Sequence, residues 1–417
     1  MLLQFKVNNF RSIKDTAVFS MNTAANKAHS HSFAFRNYHF LKSAAIYGAN
    51  ASGKSNVLRA MAFMQKMVLN HSKITQSTDK LPHEPFRLNT ETENASSSFE
   101  MIFFSGDCKY RYGFEADDKI VYAEWLFADE KGREARLFER ETENNKLYIN
   151  KSKFKEANGL KVPNNQLLIW KCDQQDGEIS KAILEWFQKI IFINNLDSAH
   201  FSFAAIEDKE FMADVLQLLK TADLSIDGLN TEDREFVIGE LSGNPSFKIA
   251  PKQDGGIKLI RLQTSHKKFD ETNQFVGSEQ FVLNEDESQG TQKFFALLIP
   301  ILDALKQGKV LIIDEFDASL HSLLGMALIK LFHHSEINKY NTQLIFTTHD
   351  TNLLSNPELF ERDQIWFTEK DQYGSTNLYS LLEFRKKNTG KDVRRSDNLE
   401  KHYLQGRYGA IPNLGEF

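Results

Sequence analysis

The octapeptide Gly48-Ala49-Asn50-Ala51-Ser52-Gly53-Lys54-Ser55 limits what this chain can fold into more than any other feature. It meets the pattern GxxxxGK[ST] at every fixed position. The apolar run before it (SAAIY, 43–47) reads as a buried strand, and Val57, Leu58, Ala60, Met61, Met64 and Val68 after it recur at helical spacing. Strand, glycine loop and helix in that order make a cradle for phosphate. The glycines let backbone N–H groups converge, and the helix N-terminus adds positive potential. Lys54 supplies a point charge and the Ser55 hydroxyl is placed to ligate Mg2+, while Asn50, Ala51, Ser52 and Asn56 complete the cradle.

Such a loop needs a carboxylate to hold the metal. The aliphatic run 310–313 (VLII) ends in Asp314 and Glu315, and the C-terminal end of a buried strand is where α/β sheets bind ligands. Asp314 is expected to serve the metal, and Glu315 to orient or deprotonate water. His349 follows another apolar strand, 343–346 (QLIF), where its ring can bond a terminal phosphate. Lys54 and Asp314 lie 260 residues apart, so a large insertion separates two halves of one sheet. Ahead of the second half, Ser288-Gln289-Gly290 opens an apolar helix. That segment is a helix cap by itself and an anion-binding device in the right surroundings.

The rest of the chain supports an α/β reading with an antiparallel β-meander. Residues 1–20 read as two strands around a turn at 8–14, residues 99–140 as several strands separated by SGD, DD and DEKGRE turns, and residues 166–171 as a further strand. Amphipathic helices are expected over 179–190 and 211–221, and a helix over 290–305 kinked at Pro300. At 417 residues, two or three domains or one large domain with an insertion are expected. The division that fits is 1–177 as a first half carrying phosphate loop and meander, 178–240 as a helical insertion, and 241–417 as the second half. The net charge of -5 gives no global attraction to nucleic acid, so such contact needs a local patch. Cys108 and Cys172 make no disulfide framework, residues 1–14 no signal peptide, and the longest apolar stretch, 294–302, is too short to span a bilayer. A soluble, cytoplasmic chain without membrane contact is expected.

The phosphate loop, SQGTQ (288–292), LIIDE (311–315), DASLH (317–321) and TTHD (347–350) in this order resemble an ABC-type ATPase head. NNFRSIKD (8–15), KYRYGFEA (109–116), WFTEKD (366–371) and YLQGRYGAIP (403–412) resemble the predicted ATPases of bacterial abortive-infection loci, relatives of the overcoming-lysogenization-defect and chromosome-maintenance ATPases. The resemblance implies an ATP- and Mg2+-dependent hydrolase with a mixed sheet, a meander and an inserted helical subdomain. It implies that Ser288 and Gly290 act on nucleotide held by an opposite subunit, that Asp317 lies in a dimer contact, and that His349 is a switch histidine. Arg11 would reach the nucleotide, and a glutamine after the 166–171 segment, Gln174 or Gln175, would contact metal and water. The signature is SQG rather than the SGG typical of transporters, and a glutamine loop is not obvious.

The partners so implied are a second copy, in a homodimer or higher homo-oligomer, and an effector protein such as a nuclease or other toxin encoded nearby. Nucleic acid is a further candidate partner: the basic run RKKNTGKDVRR (385–395) is a solvated linker or a dock for nucleic acid or an acidic protein. Two other functions fit the motifs, a DNA-stimulated ATPase of the chromosome-maintenance or end-sensing type and a non-hydrolysing ATP-bound scaffold. Glu315 and His349 argue against the scaffold, and the acidic balance and lack of heptads against the DNA machine. His29, His31, His333 and His334 have no neighbours at metal spacing and read as structural.

Overall fold

The run SAAIYG forms the strand Ser43–Gly48, every residue of which is buried. In a computed structural model, which describes residues 1–194, 206–222, 225–235, 248–251, 257–384 and 398–412, this strand lies inside a six-stranded sheet. The order is Ile190–Ile193, Val310–Ile313, Gln343–Thr347, Ser43–Gly48, Ile365–Lys370, Thr376–Ser380. All neighbours are parallel except the last pair. Buried on both faces, the inner strands read as continuous apolar runs. The strand leading to the phosphate loop and the strand leading to Asp314 are not adjacent, because Gln343–Thr347 lies between them.

A seven-stranded antiparallel sheet carries the meander. Its order is Lys146–Ile149, Ala135–Glu141, Val121–Asp129, Cys108–Ala116, Ser97–Ser105, Leu2–Asn8, Ala17–Ser20. The helix Lys54–Val68 buries Val57, Leu58, Met61, Met64, Met67 and Val68. These residues form one apolar cluster with Phe5, Phe99, Phe103 and Tyr112 of the antiparallel sheet and with Ile46, Ile312 and Ile345 of the parallel sheet. Each such side chain contributes about 1.5–3 kcal/mol on burial. The helix that starts at Lys54 is therefore anchored on more than one side, and its N-terminus is rigidly presented.

The chain divides into two compact units: Met1–Asn194, Ala304–Phe316 and Ile329–Phe417 in one, Asn195–Asp303 and Asp317–Leu328 in the other. Both sheets described so far belong to the first. In the second, Ile257–Phe269 pairs with Gly228–Glu235, Lys248–Pro251 and Phe275–Val282, all antiparallel. The 178–240 segment is thus not wholly helical. Beside the helices Glu178–Gln188 and Lys209–Thr221 it supplies the strands Ile190–Ile193 and Gly228–Glu235. The first is four apolar residues that continue a helical pattern, and the second (GLNTEDRE) has no apolar alternation to betray it. The helix Gln289–Gln307 runs through Pro300 as one element. The basic run 385–395 lies outside the described residues. Among the described residues no helix is long and apolar enough to cross a membrane.

Residues 166–171 correct an expectation: they enter a helix, Leu168–Asp173, instead of a strand. The cause is remote in sequence. The buried carboxylate of Glu124, in the meander, accepts from the amides of Leu168 (2.5 Å) and Ile169 (3.2 Å) and from the Tyr112 hydroxyl (2.9 Å). It caps the first turn, as a local acid would. The Trp170 indole then donates to the carbonyl of Val68 (2.8 Å), at the end of the phosphate-loop helix. Burial raises the Glu124 carboxyl above its ordinary value, against the lowering pull of Arg140 and the donated hydrogen bonds. The folded state therefore holds this proton more tightly than the unfolded chain. The group's contribution to stability is greatest in acid and declines as pH rises through the folded value. Glu124→Ala strands three buried donors and is expected to cost about 2–4 kcal/mol, read as a lower urea midpoint. An unchanged midpoint would contradict the capping role.

Candidate functional site

Two features make the phosphate loop a glycine loop. Gly53 has φ +104°, a left-handed conformation, and a Cβ there would meet Thr376 Oγ1 at 2.1 Å. At Gly48 a Cβ would meet Ser52 Oγ at 2.5 Å and the Thr368 carbonyl at 2.6 Å. The loop is laced to its neighbours by hydroxyls: Ser52 Oγ with Thr368 Oγ1 (2.7 Å), and Thr376 Oγ1 donating to the Ser52 carbonyl (3.0 Å). Thr376 and Asn56 both reach Ser12, in the turn after the first strand. Lys54, buried, donates from Nζ to the carbonyls of Gly48 (2.8 Å) and Ala49 (3.0 Å) and is folded back over the loop.

Asp314 and Glu315 follow the strand Val310–Ile313. The Ser55 hydroxyl donates to Asp314 Oδ1 at 3.0 Å, and the Thr347 hydroxyl donates to the same oxygen at 2.6 Å. A carboxylate and a hydroxyl oxygen brought together are hard ligands of the kind Mg2+ takes alongside phosphate oxygens. Glu315 is exposed and has φ +54°, uncommon for a residue with a side chain. Non-glycine residues held this way cluster at functional sites.

Phosphate loop, Glu315 and His349 line one cavity of about 520 Å³, with Asn50, Ala51, Ser52, Gly53, Lys54, Ser55 and Asn56 on its loop side. Arg59 and Lys370 complete the wall. Three cationic side chains face one carboxylate, so the cavity is electropositive in a chain of net charge -5. It suits a polyanion. All five parallel strands end on the same side, and the ends of four of them supply the loop, the acid pair, His349 and Lys370. Sequence reasoning overlooked Arg59, Lys370, Ser12, Thr347, Thr368 and Thr376 as site residues. Arg59 was findable, since it lies one helical turn beyond Ser55 on the same face.

A family model described as "AAA domain, putative AbiEii toxin, Type IV TA system" matches residues 43–158 and 180–355, more than half of the chain. The chain belongs to this family. The matched residues of the AAA domain include the phosphate loop, Ser288, Gly290, Asp314, Glu315 and His349. Arg11, Ser12, Lys370 and Thr376 lie outside them. No curated protein matches the chain.

Two expected site residues stand away from this cavity. Gln174 follows the helix Leu168–Asp173 on an exposed turn, accepts from Lys171 Nζ (3.2 Å), and is not among the residues lining the cavity. Gln175 is its exposed neighbour. The helix capped by Glu124 replaces the strand that was to point a glutamine at the metal. Arg11 also does not line this cavity. Its backbone amide donates to the Glu84 carbonyl (2.7 Å) and its guanidinium pairs with the Glu84 carboxylate. Both residues border a smaller concavity that shares Asn56 and Lys370 with the first.

Ser288 and Gly290 belong to the second unit. The Ser288 hydroxyl accepts from the amide of Thr291 (3.1 Å) and caps the helix Gln289–Gln307. Glu287 is held to the sheet of that unit by His266 Nε2 (2.7 Å) and the Thr264 hydroxyl (2.5 Å). This turn is thus a built element with a defined hydroxyl at a helix start. His31 and His333 stack at 4.1 Å inside the first unit, in keeping with structural roles.

Proposed function

We propose that this chain is a Mg2+-dependent ATP hydrolase of the ABC type, in which two heads pair and ATP state controls a partner effector in bacterial anti-phage defence. The observation carrying this reading is the meeting of Lys54, Ser55, Glu315 and His349 around one electropositive cavity, with Asp314 bonded to Ser55 behind it. Lys54 and the loop amides bind the β and γ phosphates, with Arg59 and Lys370 offsetting further charge. Ser55 and Asp314 hold Mg2+, which as a Lewis acid offsets charge developing on the phosphate oxygens. Glu315 accepts a proton from the attacking water as the β–γ bond breaks, leaving ADP and phosphate. His349 bonds the terminal phosphate. The smaller concavity beside Asn56 and Lys370 takes the sugar and base, with Arg11 at its edge.

In this reading Ser288 and Gly290 complete the site of a second copy, so Ser288→Arg blocks hydrolysis across the pair. Alone, Ser288→Arg is expected to bind ATP near normally and hydrolyse it poorly. Mixed with Lys54→Ala, it forms heterodimers that carry both defects at one site and leave the other intact. Phosphate release above either variant alone is the expected result. A mixture no more active than its parts, with subunit exchange verified by labelled heads, would contradict independent shared sites.

A further inference from the structure

We propose that Thr347 is the positioning residue that holds Asp314 and Glu315 in a fixed relation, through a single buried hydroxyl shared by both. The inference rests on the reading of the cavity as an ATP-hydrolysing site and concerns a residue that lines no part of it. Thr347 ends the strand Gln343–Thr347, the one that separates the phosphate-loop strand from the strand leading to Asp314. Its side chain is 1 % exposed. A hydroxyl offers one donor and two acceptor positions, and here both kinds are used. Oγ1 donates to Asp314 Oδ1 at 2.6 Å and accepts from the Glu315 amide at 2.8 Å.

The backbone of Thr347 extends the grip, since its carbonyl accepts from the Phe316 amide at 3.0 Å. Glu315 is therefore held at its own amide and at the next one, by the same residue. That bracket accounts for how a side-chain-bearing residue stays at φ +54°, which surrounding structure must over-determine. The same Asp314 oxygen also accepts from Ser55, so the hydroxyl joins metal carboxylate, phosphate-loop helix and water-activating acid in one chain of contacts. Two residues further on, the chain carries His349 into the cavity wall. A valine would fill nearly the same space and make neither bond.

The test compares Thr347→Val, Thr347→Ala and Thr347→Ser in the full chain. It uses Mg-ATP turnover and, independently of turnover, the affinity for Mn2+ with a non-hydrolysable ATP analogue, read from the electron paramagnetic signal of free Mn2+. Thr347→Val is expected to lower kcat and weaken Mn2+ binding by about 10–100-fold, with KM for ATP at saturating Mg2+ little changed. Thr347→Ser, keeping the hydroxyl, is expected to stay within about threefold of the parent in both. Parent-like Mn2+ affinity and turnover in Thr347→Val, or an equal fall in Thr347→Ser, would overturn the proposal. So would failure of both hydroxyl-free variants to melt cooperatively, since the hydroxyl would then serve folding. A parent chain that binds no nucleotide fails before any variant is made, and it removes the reading of the cavity along with this proposal.

Discussion

Glu315→Gln is expected to bind Mg-ATP within about threefold of the parent and to hydrolyse it about 100-fold or more slowly, the usual range for loss of a general base. The amide matches the carboxylate in size and keeps its place at the cavity wall. It cannot accept a proton from water. The backbone that presents it is unaffected, because Thr347 holds the amides of residues 315 and 316 and not the side chain. The split between binding and turnover distinguishes a base from a binding group, since a lost binding contact would raise KM. Rapid-quench measurement of phosphate release beside equilibrium titration with a fluorescent ATP analogue reads both. Turnover equal to the parent would assign the base to another residue.

Lys54→Ala is expected to reduce Mg-ATP affinity and hydrolysis together, with turnover down by about 100-fold or more. Arg59 and Lys370 line the same cavity, but both are exposed, whereas Lys54 is buried against the loop carbonyls. A charge shielded from water acts in a lower dielectric and offsets phosphate charge more strongly. The variant also leaves the carbonyls of Gly48 and Ala49 without their ammonium partner, so a melting curve accompanies the assay. A folded Lys54→Ala chain that turns over Mg-ATP normally would remove the phosphate-loop assignment.

The phosphate loop was legible because its chemistry is local: eight consecutive residues encode the turn, the charge and the metal hydroxyl. Asp314 and His349 were legible for a related reason, each following an apolar run that must end at the same edge of a parallel sheet. Thr347, Thr376 and Lys370 were not, since their place depends on strand order, which brings residues from 12, 52, 347, 368 and 376 to one side. Gln174 failed for the converse reason. Six apolar-rich residues fit a strand or a buried helix equally well, and the decision lay with Glu124, more than forty residues earlier. The 178–240 segment misled because an outer strand rich in charge carries no alternating apolar signal. Ser288 was legible in its capping role, which is local, while the action on a second copy proposed for it is a matter of assembly.

The most direct test of the account is phosphate release from saturating Mg-ATP by the full chain, measured as specific activity across a wide range of protein concentration. If two heads make the sites, specific activity rises with concentration as they pair and then levels off, and Lys54→Ala stays near background throughout. Specific activity that is flat across the range in a chain sedimenting as a monomer under the same conditions, or no Mg-dependent release at any concentration, would contradict it.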